Sequence, residues 1–135
     1  MTPTLIVIQW LHVFCAIWWF GSLLYSRFVV YPRLRAVGGD LEASVRSALT
    51  TGRARMITIT VATLTVGLGA IRGAVGGALD DPASAYGLTY LASFAIGVAM
   101  IVYLVGGWDQ PFLNRLYVLA FPVIFSLMIL MRFGL

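Results

Sequence analysis

The sequence predicts an all-α integral membrane protein, a bundle of four transmembrane helices, from its composition and its length. Of the 135 residues, 61% are hydrophobic and only 10% are charged, whereas soluble domains carry roughly a quarter charged residues. The mean hydropathy is +0.95. Since a membrane-spanning helix needs about 20 apolar residues, the chain has room for about four spans in a single transmembrane domain, residues 1–135.

The first predicted span covers residues 4–31 and is followed by the longest polar connection, residues 33–55. Pro32 biases the residue before it away from helix, so we expect the span to end at Tyr31. Within the connection, the segment "DLEASVRSALTTG" has the pattern of a short amphipathic surface helix that ends at Gly52.

The other predicted spans cover residues 56–78, 85–108 and 112–133. In the second span, Gly69, Gly73 and Gly77 repeat every four residues, a pattern of either a tight helix contact or flexible packing. The segment "DDPAS" breaks the chain before the third span, and the short "DQPFLNR" predicts a hairpin between antiparallel helices. Pro122 is expected to kink the fourth span.

The positions of the arginines predict the orientation of the bundle. The first and third connections are rich in them, with Arg33, Arg35, Arg46, Arg53, Arg55 and Arg115. Because cytoplasmic connections carry the excess of basic residues, we expect an up-down-up-down bundle with both termini outside, in the bacterial inner (plasma) membrane. The pI of about 9.7 therefore reflects topology, and the expected partner is the lipid bilayer and not nucleic acid.

The stretch "WLHVFCAIWWFG" holds the only histidine and the only cysteine of the chain. On a helix, spacings of three and four residues place a stripe of side chains on one face, which we expect to be the bundle interior. The stripe consists of His12, Cys15, Trp19, Ser22 and Ser26. Ionisable residues inside a membrane often mark functional sites, so His12 is either a site for an ion, haem or proton, or a structural imidazole. Cys15 is either a metal ligand or a packing residue.

A helical rise of 1.5 Å per residue predicts a polar cluster in the outer half of the bundle. The cluster consists of His12, Arg72, Tyr90, Met128 and Arg132. Within it, Arg72 either snorkels outward or pairs with Asp80 and Asp81, or it binds the carboxylates of a cofactor. No catalytic triad, phosphate-binding loop or pair of carboxylates is visible in the sequence, so the catalytic residues are unknown.

The segment "LHVFCAIWWFGSLLYSRFVVYPRL" contains His12, a tryptophan at Trp18 or Trp19, Gly21, Arg27 and Tyr31. In these residues the first helix resembles the four-helix membrane family of HemJ-type protoporphyrinogen oxidases and the related copper-resistance CopD domain. The resemblance extends more weakly over the whole chain. It implies a helical bundle that holds b-type haem, with His12 as an axial ligand, in a redox or haem-handling role.

Two positions depart from the HemJ-type pattern. That family has a His-x-Lys element near the start of its third span, where this chain has Leu88 and Tyr90. It also tends to have a histidine just after the first helix, where this chain has Pro32. We therefore do not expect porphyrinogen oxidation to carry over with the fold, and an oxidoreductase activity of the HemJ type stays open.

Three interpretations of the outer cluster remain open. The first interpretation is haem. Because each chain has one histidine, the sixth ligand of the iron is then Met128 or the His12 of a second chain in a homodimer, or the sixth position has no ligand. The second interpretation is copper, bound or transported through the imidazole of His12 and the soft sulfur atoms of Cys15 and Met128. In the third, the chain is a structural or partner-binding subunit of a larger membrane complex and binds no cofactor.

The predicted orientation can be tested by labelling an introduced cysteine. In a Cys15→Ala background, Ser44→Cys lies in the first connection and should react with an impermeant thiol reagent only from the cytoplasmic side. Thr2→Cys is the control and should react in intact cells. Labelling of Ser44→Cys in intact cells would show that the orientation is the reverse.

Overall fold

The structure, a computed structural model, describes residues 2–106 and 110–133, and these residues form helices and no strand. The α-helices are α1 (Pro3–Tyr25), α2 (Tyr31–Val37), α3 (Leu41–Thr50), α4 (Gly52–Val75), α5 (Ala85–Gly106) and α6 (Pro111–Phe133). Four stretches are long and apolar enough to cross a membrane, namely Pro3–Val37, α4, α5 and α6. The predicted all-α transmembrane fold is thus confirmed. The predicted end of the third span, residue 108, lies outside the described residues.

The first span is longer than predicted, because the helix does not stop before Pro32. A π-helical segment, Ser26–Val30, joins α1 to α2, and the amide of Tyr31 donates to the carbonyl of Ser26, five residues earlier. Proline lacks an amide hydrogen and crowds the turn before it, and the wider π turn accommodates both effects. The chain stays helical up to Val37.

Helix α4 begins and ends earlier than the predicted span 56–78. After Val75 the backbone reverses at Gly77, where φ is 86°, and the amide of Ala78 donates to the carbonyl of Gly73 over 3.1 Å. Glycine favours this left-handed conformation, which commonly closes a helix. Gly77 therefore lies beyond the helix and does not continue the predicted glycine flank.

The other two glycines of that flank do allow a close helix contact. A Cβ atom at Gly69 would lie 2.7 Å from Cε1 of His12 on α1. A Cβ atom at Gly73 would overlap the ring of Tyr90 on α5. The absence of a side chain thus lets α4 approach α1 at one glycine and α5 at the other.

An aromatic layer crosses the middle of the bundle and belongs to its core cluster. It consists of Trp19, Phe20, Tyr103, Tyr117 and Phe121. Nε1 of Trp19 donates to the hydroxyl of Tyr117 over 2.6 Å, and the Trp19 and Phe121 ring centroids are 5.0 Å apart. Helices α1 and α6 meet through these rings, whereas α1 packs on α4, α4 on α5 and α5 on α6 along their backbones.

The outer surface of α1 is apolar, as expected for a surface in contact with lipid. Trp10 and Trp18 are 63% and 52% exposed, and the ring of Phe14 contacts both, with centroid distances of 5.5 and 6.1 Å. Trp19, by contrast, is buried in the aromatic layer. The two exposed tryptophans therefore face lipid rather than the bundle core.

Helix α3 lies at the surface, as predicted, and is tied to α2 by charge. Glu42 on α3 accepts hydrogen bonds from Arg35 on α2 and from Arg46 one turn further along α3. These two arginines lower the pKa of Glu42 to about 2. The carboxylate therefore stays ionised, and the contact persists, until the pH falls towards that value.

Helix α6 continues through Pro122 without interruption. The hydroxyl of Ser126 donates to the carbonyl of Pro122 over 2.8 Å, one turn further along the helix. The kink that Pro122 is expected to cause stays a prediction.

The close approach at Gly73 can be tested against a glycine with free space on the same helix. Gly73→Ala should lower the unfolding free energy by about 1–3 kcal/mol, because the added methyl group overlaps the buried ring of Tyr90. A Cβ atom at Gly67 meets nothing within 4 Å, so Gly67→Ala should be neutral or slightly stabilising. Unfolding in mixed detergent micelles measures both variants, and equal stability would contradict the contact.

Candidate functional site

Two cavities lie on opposite sides of the aromatic layer. The larger, about 820 Å³, lies toward the end of the bundle that holds the chain termini, and we call it the His12 cavity. The smaller, about 270 Å³, lies toward the end that holds α2 and α3, and we call it the Arg27 cavity. Trp19 lines both cavities, so the aromatic layer forms the wall between them.

The His12 cavity contains all four residues that the sequence predicts as cofactor-binding residues. His12 contributes from α1, Arg72 from α4, Tyr90 from α5 and Met128 from α6. Most of the remaining wall is apolar, and the volume lies in the range of about 300–1,000 Å³ that is typical of small-molecule sites. The structure therefore brings the predicted outer cluster together around one cavity.

The imidazole of His12 is held in one orientation by α4. Its Nδ1 atom lies 2.8 Å from the carbonyl oxygen of Thr65, and its ring lies against Gly69. A carbonyl oxygen carries no proton, so Nδ1 must be the donor, and in the neutral imidazole Nε2 then carries the lone pair. Histidines that bind metals are commonly oriented by such a hydrogen bond from the other ring nitrogen.

Arg72 lines the His12 cavity with an unsatisfied polar atom. Its Nε atom is buried and has no hydrogen-bond partner in the described part of the chain. Its Nη1 atom lies close to Gly76, one turn further toward the helix end, so the side chain extends along the direction expected for snorkelling. A buried guanidinium nitrogen without a partner suits an anionic ligand.

The predicted pairing of Arg72 with Asp80 or Asp81 is absent. Across residues 2–106 and 110–133, the ion pairs join Glu42 to Arg35 and Arg46. The aspartates instead belong to the turn between α4 and α5, where Asp81 accepts a hydrogen bond from the amide of Ala83 and Asp80 lies beside Gly77. Neither carboxylate therefore forms an ion pair with Arg72.

Tyr90 contributes its ring to the cavity, but its hydroxyl is already engaged. The hydroxyl donates to the carbonyl of Ala70 on α4 over 2.9 Å. Tyr90 therefore joins α5 to α4 and shapes the cavity wall, and Met128 lines the cavity from α6.

Cys15 is not part of the His12 cavity. Its thiol is half-buried and free, and it is absent from the lining of both cavities. The described residues also contain no group of three or more His, Cys, Asp or Glu side chains able to hold a metal ion. The predicted copper ligands are thus divided, with His12 and Met128 on the cavity wall and Cys15 elsewhere on α1.

Comparison with known proteins adds no relative to this geometry. No family model, no curated protein and no solved structure matches the chain. The resemblance of the first helix to HemJ-type oxidases and CopD domains therefore stays a prediction, and any function has to be argued from the site itself.

Gln9 and Met131 are among the cavity residues that were not predicted from the sequence. Each lies three residues from a predicted one, Gln9 before His12 and Met131 after Met128, and both line the His12 cavity. Because side chains three apart share a helix face, a search one turn from His12 and from Met128 toward the chain termini would have found them. Arg132, predicted by depth alone, lines the cavity as well.

Proposed function

We propose that this membrane protein binds b-type haem in the His12 cavity, with Nε2 of His12 as the axial ligand, and serves a redox or haem-handling role. The observation that carries the proposal is the state of His12. Its Nδ1 atom is engaged by the carbonyl of Thr65, which leaves Nε2 on a ring that lines a large apolar cavity. A neutral imidazole oriented in this way is a common haem ligand.

The remaining wall of the cavity suits the other parts of a haem molecule. A largely apolar lining matches a porphyrin face, and Arg72 and Arg132 supply positive charge for its two carboxylates. Arg72 supports the proposal more strongly than Arg132, because its buried Nε atom has no hydrogen-bond partner among the described residues. Met128 offers a thioether sulfur as a second axial ligand.

Haem would supply an iron atom that exchanges one electron, and the chain would supply the ligand, the charge and a low-dielectric setting. The proposal does not extend to porphyrinogen oxidation, because the HemJ-type histidine and lysine are replaced by Leu88 and Tyr90. The hydroxyl of Tyr90 is also engaged by the backbone of Ala70. Copper is less well supported, since Cys15 lies outside the cavity.

The axial ligand is tested by the absorption spectrum of the purified protein after addition of haem. The wild-type chain should show a Soret band with one haem per chain, and His12→Ala should lose it while keeping its helical circular dichroism. Cys15→Ala is the matched control on the same helix and should retain the band. Full haem binding in His12→Ala would contradict the assignment, and bound copper that is lost in Cys15→Ala would favour the copper alternative.

Two substitutions of Arg72 separate the effect of its positive charge on haem binding from the effect of its hydrogen-bond geometry. Arg72→Leu should weaken haem binding by roughly tenfold to a hundredfold, the size expected when a charged hydrogen bond is lost. Arg72→Lys should be intermediate, because lysine keeps the charge but lacks the guanidinium fork. Arg53→Leu, at the exposed start of the same helix, is the control. Unchanged affinity in Arg72→Leu would exclude a carboxylate contact.

A further inference from the structure

The Arg27 cavity contains an arginine that forms no ion pair with the residues that the structure describes. Arg27 lies in the π-helical segment inside the first membrane span, is half-buried and lines the cavity. Its Nη2 atom donates to Oδ1 of Asn114 on α6, a neutral amide. In the part of the chain that the structure describes, the ion pairs involve Arg35 and Arg46 and leave Arg27 without a carboxylate.

Arg27 lies toward the α2 end of the first span, near the headgroup level, where an arginine side chain favours an anionic partner. Asn114 accepts a hydrogen bond from Arg27 and orients the guanidinium, but an amide carries no net charge. The π-helical segment interrupts the regular helix at the same place, and such segments often occur at functional sites. A bound anion at this cavity would supply the counter-charge that the described residues do not.

A second arginine lines the same cavity from α3. The guanidinium of Arg46 lies over the ring of Tyr31, 4.6 Å from its centroid, and shares the single carboxylate of Glu42 with Arg35. Two positive charges thus compete for one negative charge beside the cavity. Arg46 is fixed in place by these contacts and still carries donors that Glu42 does not use.

The size and position of the cavity indicate the class of anion. A volume of about 270 Å³ admits a small group such as a phosphate and is far smaller than the His12 cavity. The guanidinium fork matches phosphate oxygens, and two arginines from separate elements can bind one phosphate from two sides. The arginines of α2 and of the starts of α4 and α6, Arg33, Arg35, Arg53, Arg55 and Arg115, lie at the same end of the bundle.

We propose that the Arg27 cavity binds a phosphate oxyanion through Arg27 and Arg46, carried either on an anionic lipid headgroup or as a free ion. The surface helix α3, which supplies Arg46, and the arginine-rich end of the bundle are features of the lipid headgroup level. This site is independent of haem, because the aromatic layer separates the two cavities.

Calorimetric titration of the detergent-purified protein tests the site and separates the two sources. The probes are inorganic phosphate, dihexanoyl phosphatidylglycerol, and the dihexanoyl diacylglycerol without phosphate, which should not bind. Binding of both phosphates shows a site open to free ions, and binding of phosphatidylglycerol alone shows a headgroup site. If neither phosphate binds to the wild-type chain, the proposal is wrong.

Two variants assign the binding to Arg27. Arg27→Gln should weaken phosphate binding at least tenfold, as expected for the loss of a charged hydrogen bond. Asn114→Asp should do the same while preserving the fold, since the new carboxylate neutralises Arg27 internally and competes with the ligand. Arg33→Gln changes an exposed arginine of α2 outside the cavity and should bind like the wild type. Wild-type affinity in Asn114→Asp would contradict the proposal, even if Arg27→Gln fails to fold.

Discussion

The contact between His12 and helix α4 is the constraint on which the candidate site depends. The imidazole fits against the bare backbone of Gly69, and the carbonyl of Thr65, one turn earlier, accepts its Nδ1 hydrogen. In a membrane a backbone carbonyl and a ring nitrogen both need partners, because lipid offers none. The carbonyl of Thr65 lies inside α4, where the helix already provides a partner, so this hydrogen bond satisfies the ring nitrogen. It also joins α1 to α4 and leaves the other ring nitrogen for chemistry.

The aromatic layer gives the bundle two compartments of different chemistry. The hydrogen bond from Trp19 to Tyr117 joins α1 and α6, whose backbones otherwise stay apart. On one side the separation of these helices leaves a largely apolar cavity with one imidazole and, in its wall, Arg72 and Arg132. On the other side, polar side chains and two arginines surround a smaller space. A bundle of 135 residues therefore holds two separate candidate binding sites.

Much of the fold and the outer cluster could be predicted, because hydropathy, arginine positions and helical spacing report directly on spans and faces. The continuation of the helix past Pro32 could not be predicted, because a π turn depends on a local pattern of backbone hydrogen bonds that residue helix propensities do not describe. Gly77 was misplaced because its spacing fits a helix as well as a helix end. Arg27 was noticed only within a resemblance, although its position inside a span was itself a sign of function.

The most direct measurement is the tautomer of His12, and the chain offers it cleanly because it contains one histidine. Nitrogen NMR of the detergent-purified protein with ¹⁵N-labelled histidine gives one pair of ring signals. Our account predicts a neutral imidazole with the proton on Nδ1, hydrogen-bonded to Thr65, and with Nε2 unprotonated. A proton on Nε2 in the neutral ring would contradict it, because Thr65 would then not orient the imidazole and no lone pair would remain for a ligand.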